Sequence, residues 1–558
     1  MKKRLSLLAA FLILAGMLSA CNRNSTPTTA TAPPPPVALA PTNTPPPLPV
    51  IVRIHFAGVD NISNDTNYLA FTNQFASTEA RALESQTLDK LSRAPGDWFK
   101  SKLPTGAGNG SAQLRPLLDD FLKSEWIFEM RGATDSPEYA LAIRLNDTRA
   151  QLWQTNLQNL LESWTKITAQ NITNGWELKK DLPPNLFRFV RAGDWVVIGC
   201  GQNELPLSDG WAQTGTGLEN ETNWLSARVD WPQLGQVFPA LAKFDFPVTT
   251  MQAIGAGSNF LVTGKFELSQ PLLSLDKWQI PTNLIHQPLT SFTAARGFGP
   301  WLGNQSWAGW LKLSPEPNEL FSWSLGTMPL QTFIAFSVTN ATNALAQVGR
   351  NFTVNTNWQE HLLMPFQMKA TPTQILWQGM PFISPGMSAL HEPSGDYLFA
   401  NVFPNPPLGK APPTELFQTA SQDNMVFYHW EITSSRLKAL PQLTQLALML
   451  TSNRQLDGNS AAGRWLNRIA PTPGDSVTKV TQTGPSELTL MRTAPDGLTA
   501  IELIALANWL QAPHFPACDL SLPRRPRQLM FHHPIKVLSA PAPTPVRAPA
   551  PPPAPAPH

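Results

Sequence analysis

The chain of 558 residues offers few residues whose type and spacing indicate catalysis or metal binding. Its nine histidines are scattered, and the HExxH pattern, which places two imidazoles on one helical face, is missing. The pattern Ser-x-x-Lys recurs, but the Ser-Asp-Asn and Lys-Thr-Gly elements that accompany it in penicillin-recognising enzymes are absent. We therefore predict no catalytic residue, no metal site and no cofactor, and expect a protein that is not an enzyme.

Two neighbouring carboxylates, Asp119 and Asp120, lie in an apolar stretch that reads as a helix. Consecutive helical residues point about 100° apart, so the two carboxylates are poorly placed to act as an acid/base pair. We expect them to lie on a solvated helix face.

Aromatic residues concentrate near the middle of the chain, alongside several glycines. The group comprises Phe292, Phe298, Trp301, Trp307, Trp310 and Trp323. Indoles supply broad apolar area with one donor, which suits stacking on sugar rings or gripping a partner, but also suits a buried seam. Both interpretations stay open, and Trp301, Trp307 and Trp310 are the candidate ligand-binding residues.

The amino terminus carries a basic start, an almost wholly apolar run over residues 5–18, and then the sequence Leu18-Ser19-Ala20-Cys21. The run is shorter than the ~20 residues of an ordinary membrane span and has the layout of an export signal. This segment resembles the lipobox of bacterial lipoprotein precursors. The resemblance implies cleavage before Cys21, lipid attachment at Cys21, and anchoring to a membrane. Asn22, where an inner-membrane lipoprotein of the enteric type would carry Asp, favours the outer membrane if the host has one.

Two cysteines remain once Cys21 is lipidated, so one pairing is possible. Cys200 ends a predicted strand, and Cys518 lies just beyond the second of two predicted lobes, which ends at residue 515. An exported protein can form such a disulfide, but bridging requires the two Cα atoms to come close, which a sequence does not reveal. A Cys200–Cys518 disulfide and two separate thiols both stay open.

Proline brackets the body of the chain. Residues 22–50 contain ten prolines and residues 541–558 contain nine. Such segments favour polyproline II, so the first could hold the body up to ~90 Å from a lipid surface. We predict a signal peptide (1–20), a Pro/Thr-rich linker (21–50) and a disordered Pro/Ala-rich tail (541–558) after an extension (516–540). The tail is either a solvated end or a ligand for an envelope partner or the cell wall.

Between these segments, periodicity predicts an α+β body. A strand over residues 139–145 leads to Asn146 as a helix N-cap, then to a helix with Trp153, Leu157 and Trp164 on one face. A hairpin turns at Gly193-Asp194. A long helix is predicted over 66–94, ended by Pro95-Gly96, and a last hairpin with its turn at 494–497 and its second strand at 498–504.

A similar succession of strands, helix and hairpin returns about 200 residues later. We therefore predict two similar lobes from internal duplication, at 51–275 and 315–515, each a mainly antiparallel sheet backed by helices. A Trp-rich segment (276–314) joins them. The alternative is that the two lobes share an order of strands and helices without having arisen by duplication.

Composition narrows the function. Apolar residues make up 42% of the chain, and 41 basic against 39 acidic side chains leave no field that would recruit nucleic acid. We expect a lipid-anchored envelope lipoprotein with a non-catalytic structural or protein-interaction role, whose partner is an envelope protein or the cell wall. The alternative is a carbohydrate- or lipid-binding envelope module that uses the Trp-rich segment or an inter-lobe groove. A third hypothesis is an enzyme whose residues meet only in the fold. The oligomeric state stays open.

Overall fold

The computed structural model describes residues 5–6 and 49–518, with several gaps. The gaps are 68–74, 101–102, 107, 181–184, 203, 216–221, 243–244, 273–274, 301–312, 327–330, 355–366, 380–382, 404–411, 440–457, 473 and 514.

The strands of the first half of the sheet are β2 (Val50–Phe56), β3 (Trp126–Arg131), β4 (Glu138–Arg144), β5 (Gln170–Ile172), β6 (Gly175–Lys179), β7 (Leu186–Ala192), β8 (Trp195–Gly201), β9 (Leu225–Val229), β10 (Val248–Ala256) and β11 (Asn259–Glu267). The strands of the second half are β12 (Leu289–Arg296), β13 (Glu319–Leu325), β14 (Thr332–Val338), β15 (Gln367–Ala370), β16 (Gln374–Gln378), β17 (Gly386–Glu392), β18 (Gly395–Asn401), β19 (Met425–Ile432), β20 (Asp475–Gly484) and β21 (Glu487–Ala494). A separate two-stranded ladder joins β1 (Leu5–Ser6) to β22 (Ala517–Cys518).

The helices in chain order are α1 (Val59–Ser63), α2 (Thr78–Phe99), α3 (Ser111–Lys123), α4 (Asp147–Thr165), α5 (Pro206–Thr214), α6 (Trp231–Val237), α7 (Pro239–Ala242), α8 (Ala341–Val354), α9 (Thr414–Ala420), α10 (Ala461–Ile469) and α11 (Ala500–Gln511). Within the described residues, no helix is both long and apolar enough to span a membrane.

The chain is α+β with a large antiparallel sheet, as the sequence predicts. Strands β2 to β21 pair in one continuous order, β5-β6-β7-β8-β4-β3-β2-β9-β10-β11-β21-β20-β19-β12-β13-β14-β18-β17-β16-β15, and each pairing is antiparallel. The sequence predicts a sheet in each lobe, whereas here both halves share one sheet.

The strand order of the first half recurs in the second. If the ten strands of each half are numbered in chain order, both halves read 4-5-6-7-3-2-1-8-9-10 from the outer end to the centre. Helices α4 and α8 each follow the third strand of their half, and α5 and α9 each follow the seventh. The last strands, β11 and β21, pair antiparallel from Phe260↔Ala494 to Glu267↔Glu487. Antiparallel pairing of corresponding strands relates the halves by an approximate two-fold.

The core of the first half lies on both faces of its sheet. On one face, Trp153 and Leu157 of α4 join a buried cluster with Phe128 of β3 and Phe189 of β7. On the other face, Trp211 of α5 packs in a smaller cluster. The burial of both faces explains why β3 and β4 read as nearly continuous apolar runs.

The second half is built similarly. Helix α8 contributes Leu345 to a cluster with Phe336 and Leu398, and α9 contributes Phe417 to a cluster with Phe292 on the opposite face. A further cluster joins helices α2, α10 and α11. The central strands β10 and β11 differ, because all their residues are half-buried or exposed.

Three local predictions are wrong. Residues 498–504 form no strand, because Thr499 and Glu502 form a capping box that starts α11. Pro95-Gly96 does not end α2, which continues to Phe99; both residues are buried, and a side chain at position 96 would overlap the backbone of Asn109. Asp120 is buried rather than solvated, and it accepts a hydrogen bond from Nε1 of Trp153.

Candidate functional site

The candidate residues of the sequence analysis lie mostly outside the described residues. This holds for Cys21 and for Trp301, Trp307 and Trp310. Cys200 is described: it is the penultimate residue of β8, with 1% of its surface exposed. Because the side chain of Cys518 lies outside the described residues, the disulfide stays a prediction.

Two aromatic residues of the Trp-rich group are core residues. Phe292 and Trp323 are 0% and 1% exposed. The indole of Trp323 stacks on Phe333, with ring centroids 5.3 Å apart. These two members therefore stabilise the second half and are not available to a ligand.

A chain of hydrogen-bonding polar side chains, here called the polar chain, runs from β12 through β19 to the start of α11. The hydroxyl of Thr293 on β12 lies 2.8 Å from Nδ1 of His429 on β19, and Nε2 of the same imidazole lies 3.5 Å from Glu431. Glu431 is 2% exposed and accepts a 2.7 Å hydrogen bond from the backbone N–H of Ala500, the first residue of α11. Thr433 lies 3.3 Å from the same carboxylate.

The charge of Glu431 is stabilised despite burial. Burial alone would raise its pKa, but hydrogen bonds from His429 and from the N–H of Ala500 hold the pKa below its usual value. A carboxylate at a helix N-terminus is favourable because the first N–H groups have no partner within the helix. The carboxylate therefore ties β19 to the start of α11.

In hydrolases with a hydroxyl, an imidazole and a carboxylate in this order, the imidazole takes the proton of the hydroxyl, and the carboxylate orients and stabilises the imidazole. The first half has no such chain at the corresponding positions. Tracing the register outward from the β7–β8 and β17–β18 hairpins places Val52 and Val229 where the second half has Thr293 and His429. The polar chain therefore distinguishes the second half from the first. Its structural role is to hold the start of α11 against β19.

A second hydroxyl–imidazole–carboxylate set lies on the surface at the start of α8. Nδ1 of His391 is 2.8 Å from Asp396, and its Nε2 is 3.5 Å from the hydroxyl of Thr342. Asp396 also accepts a hydrogen bond from the N–H of Ala341. This bond and the contact with His391 lower the pKa of Asp396, although partial burial opposes them. Because the side chain of His391 is 59% exposed, the arrangement fits a helix cap better than a shielded catalytic centre.

A polar groove opens at the hairpin end of the first half. One part, of about 580 Å³, is lined by Gln154, Asn171, Ile172, Asn174, Gly175, Arg191 and Gly193. The other part, of about 470 Å³, is lined by Asn174, Arg191, Ala192, Gly193, Trp195, Trp211, Ala212 and Gly215. Asn174, Arg191 and Gly193 line both parts at the hairpin end, and the two parts extend toward α4 and α5, which pack on opposite faces of the sheet.

Two arginine side chains flank this groove, and each pairs with a carboxylate: Arg191 with Asp147 and Arg144 with Glu125. The guanidinium of Arg191 pairs with Asp147, whose side chain is 95% exposed. A second guanidinium, that of Arg144, lies over the indole of Trp195, 4.8 Å from the ring centroid. Asn174 has a positive φ of 61°, and its carbonyl accepts from the N–H of Arg191, so the turn that carries the amide is fixed to β7.

Two buried carboxyl groups have raised pKa values. Burial raises the pKa of Asp496 to about 7, and burial, opposed by the N–H of Gln279 and by Arg296, raises that of Glu319 to about 7. Both oxygens of Asp496 lack a hydrogen-bond partner among the described residues. The folded state is therefore most stable when such a buried carboxyl group is protonated.

Among the residues that the structure describes, no group of three or more His, Cys, Asp or Glu side chains is placed to hold a metal ion. Comparison with known proteins gave no matching family model, no matching curated protein and no matching solved structure.

Sequence reasoning missed the groove and both imidazole sets. The histidines carry no motif. Glu431 lies two residues from His429 on the same strand, but Thr293 and Ala500 come from distant parts of the chain. His391 and Asp396 lie on either side of one hairpin turn, close enough in sequence to have suggested the second set.

Proposed function

We propose that this chain is an exported, lipid-anchored envelope lipoprotein with a non-catalytic structural or protein-interaction role. The observation that carries the proposal is Leu18-Ser19-Ala20-Cys21 directly after a short apolar run. The fold is consistent with a tether, because β2 begins at Val50, where the proline-rich linker ends. Several acyl chains at Cys21 would make the attachment effectively permanent.

The proposed body is an internal duplication. Three matching features support it: the shared strand order, the two-residue turns between β7 and β8 and between β17 and β18, and the start of the long helix in each half. At that start, Asn146-Asp-Thr-Arg-Ala in the first half corresponds to Asn340-Ala-Thr-Asn-Ala in the second. Lobe boundaries at 51–275 and 315–515 leave β12 in the joining segment, although the strand order groups it with the second lobe.

The interaction role rests on the breadth of the sheet. Twenty strands in one continuous order give the two lobes a common framework, and the central strands β10 and β11, whose residues are all half-buried or exposed, leave surface for a partner. An envelope protein or the cell wall is the proposed partner. Outer-membrane residence, suggested by Asn22, is part of the same proposal.

Anchoring is tested by replacing Cys21 with Ser in the native host and fractionating the cells. We expect the parent protein in the membrane fraction after a high-salt wash and the variant in the soluble fraction. Cys200→Ser is the matched control, because it makes the same substitution at a cysteine outside the lipobox. A Cys21→Ser variant that stays with the membrane through high salt, or a mature chain whose mass shows an unmodified residue 21, would overturn the anchor.

Sucrose-gradient separation of the two membranes tests the outer-membrane assignment.

The interaction role is tested by crosslinking in living cells followed by purification through a tag at the carboxyl end. The expected result is one recurrent envelope protein or a peptidoglycan fragment that the parent and the Cys21→Ser variant share. Recovery of the chain alone at all crosslinker concentrations contradicts the role.

The alternative, a carbohydrate- or lipid-binding module, is tested at the Trp-rich segment. Soluble sugars should quench the fluorescence of Trp301, Trp307 and Trp310 if these indoles form the binding surface. Unchanged emission would favour the buried seam.

A further inference from the structure

The polar groove of the first half has the chemistry of a site for a carbohydrate. Amide side chains both donate and accept, which matches the hydroxyl groups of a sugar. Three of them, Gln154, Asn171 and Asn174, line one part of the groove. The volumes lie in the range of small-molecule sites.

The charges of the groove select an anionic sugar. No acidic residue is among the described residues that line either part, whereas Arg191 lines both. The present partner of Arg191 is Asp147, and a pair this exposed contributes little, so a ligand carboxylate can compete for the guanidinium. A guanidinium also binds a carboxylate through two parallel hydrogen bonds, which fixes the orientation of the ligand.

The second half provides an internal comparison. By the hairpin register, Arg191 corresponds to His391, which pairs with Asp396 on the neighbouring strand. An imidazole cannot offer the bidentate fork of an arginine. The two halves therefore differ at this position in the feature that anion recognition needs.

We propose that the part of the groove lined by Gln154, Asn174 and Arg191 binds a saccharide that carries a carboxylate, such as a uronic acid residue of an envelope or extracellular polysaccharide. The carboxylate contacts Arg191, and the sugar hydroxyls contact the amides. This site does not depend on the lipid anchor.

The test is isothermal titration of the detergent-solubilised full chain with trigalacturonic acid and with its neutral methyl ester. We expect the acid to bind at least ten-fold more tightly than the ester. Arg191→Gln should reduce the affinity for the acid at least ten-fold and leave the weak affinity for the ester unchanged. Asn174→Gly, which keeps the positive φ but removes the amide, should weaken both.

Two further variants separate a ligand site from a structural role. Asp147→Asn removes the competing carboxylate and should strengthen binding of the acid several-fold, a gain that mere loss of a surface pair would not give. His391→Gln, at the corresponding position of the second half, is the matched control and should bind as the parent does. Circular dichroism of each variant confirms the fold.

Equal affinity for the acid and the ester, no detectable binding by the folded parent, or an equal loss in His391→Gln would overturn the proposal. The same titration on Cys21→Ser should give the parent's affinity. Failure of the anchor and failure of the groove are therefore distinguishable.

Discussion

Asn146 and Asn340 hold the same position in the two halves, and the side chain of each accepts a hydrogen bond from the backbone N–H three residues on. The distances are 2.9 Å to Arg149 and 2.8 Å to Asn343. Each asparagine follows the third strand of its half and caps the long helix that packs on the sheet. The two long helices therefore begin with the same local chemistry at the same place in the strand order.

The two caps should therefore contribute alike to stability. We expect Asn146→Ala and Asn340→Ala each to lower the free energy of unfolding by about 1 kcal/mol, because one N–H at the helix start loses its acceptor. Urea denaturation measures the change. Asn→Asp at either position keeps an acceptor and should cost little, and an Ala variant without effect would show that its cap is dispensable.

Stability should fall as the pH rises through the range in which the buried carboxyls titrate. Because the folded pKa of Asp496 is raised to about 7, its contribution is complete below the unfolded value near 4, declines between the two values, and is constant above about 7. Glu319 acts in the same direction.

Asp496→Asn should be more stable than the parent at pH 8 by a few kcal/mol, and close to it at pH 4, since a shift of one pKa unit corresponds to about 1.4 kcal/mol. Urea denaturation at a series of pH values measures both. Glu319→Gln should remove a further part of the slope. A parent protein whose stability does not change between pH 4.5 and pH 7.5 would show that these carboxyls are not shielded in solution.

Glu431 should show the opposite dependence on pH. Glu431→Gln weakens the hydrogen bonds to Ala500 and His429 and should cost about 1–3 kcal/mol at pH 7. Because the folded pKa is lowered, the advantage of the parent is present above the unfolded pKa and is lost as the pH falls through the folded pKa. Glu487→Gln on β21, which removes a half-exposed ion pair with Lys265, is the control and should change little. An equal cost at pH 7 and at pH 3 would mean that the charge is not what matters.

Side chains of the outer and central parts of the sheet should differ sharply in what they contribute. Phe189 is fully buried, and Phe189→Ala should cost about 3–5 kcal/mol, because it leaves a cavity beneath Trp176. Met491 on β21 is 46% exposed, and Met491→Ala should stay within about 0.5 kcal/mol of the parent. Thermal unfolding of both variants compares them directly. A large loss at Met491 would indicate that something covers the central strands in solution.

Local pattern was enough to predict many of the elements. The face with Trp153, Leu157 and Trp164 and the cap at Asn146 predicted α4, and Gly193-Asp194 predicted the hairpin between β7 and β8; both are confirmed. These signals lie within one helix or one turn, where spacing alone determines which side chains share a face.

Other features depend on partners that are distant in sequence. The burial of Asp120 depends on Arg149 and Trp153 of another helix. At residues 494–497 the sequence Ala-Pro-Asp-Gly has the composition of a hairpin turn, but the capping box two residues later starts a helix. Local sequence alone does not decide whether the chain continues as a strand or as a helix after this turn. The pairing of β11 with β21 joins strands that no local pattern relates, so the single sheet could not be predicted. The candidate groove forms where two hairpins and a helix end meet, and it was missed for the same reason.

The central pairing also affects how the chain reaches its final state. Translation completes β11 long before Glu487 and the rest of β21 exist. Until then, the newly made first half carries an unpaired β-edge of nine residues, with exposed N–H and C=O groups that could template aggregation between chains. A chaperone that shields this edge during synthesis, or a delay in folding until both halves are present, would protect the nascent chain.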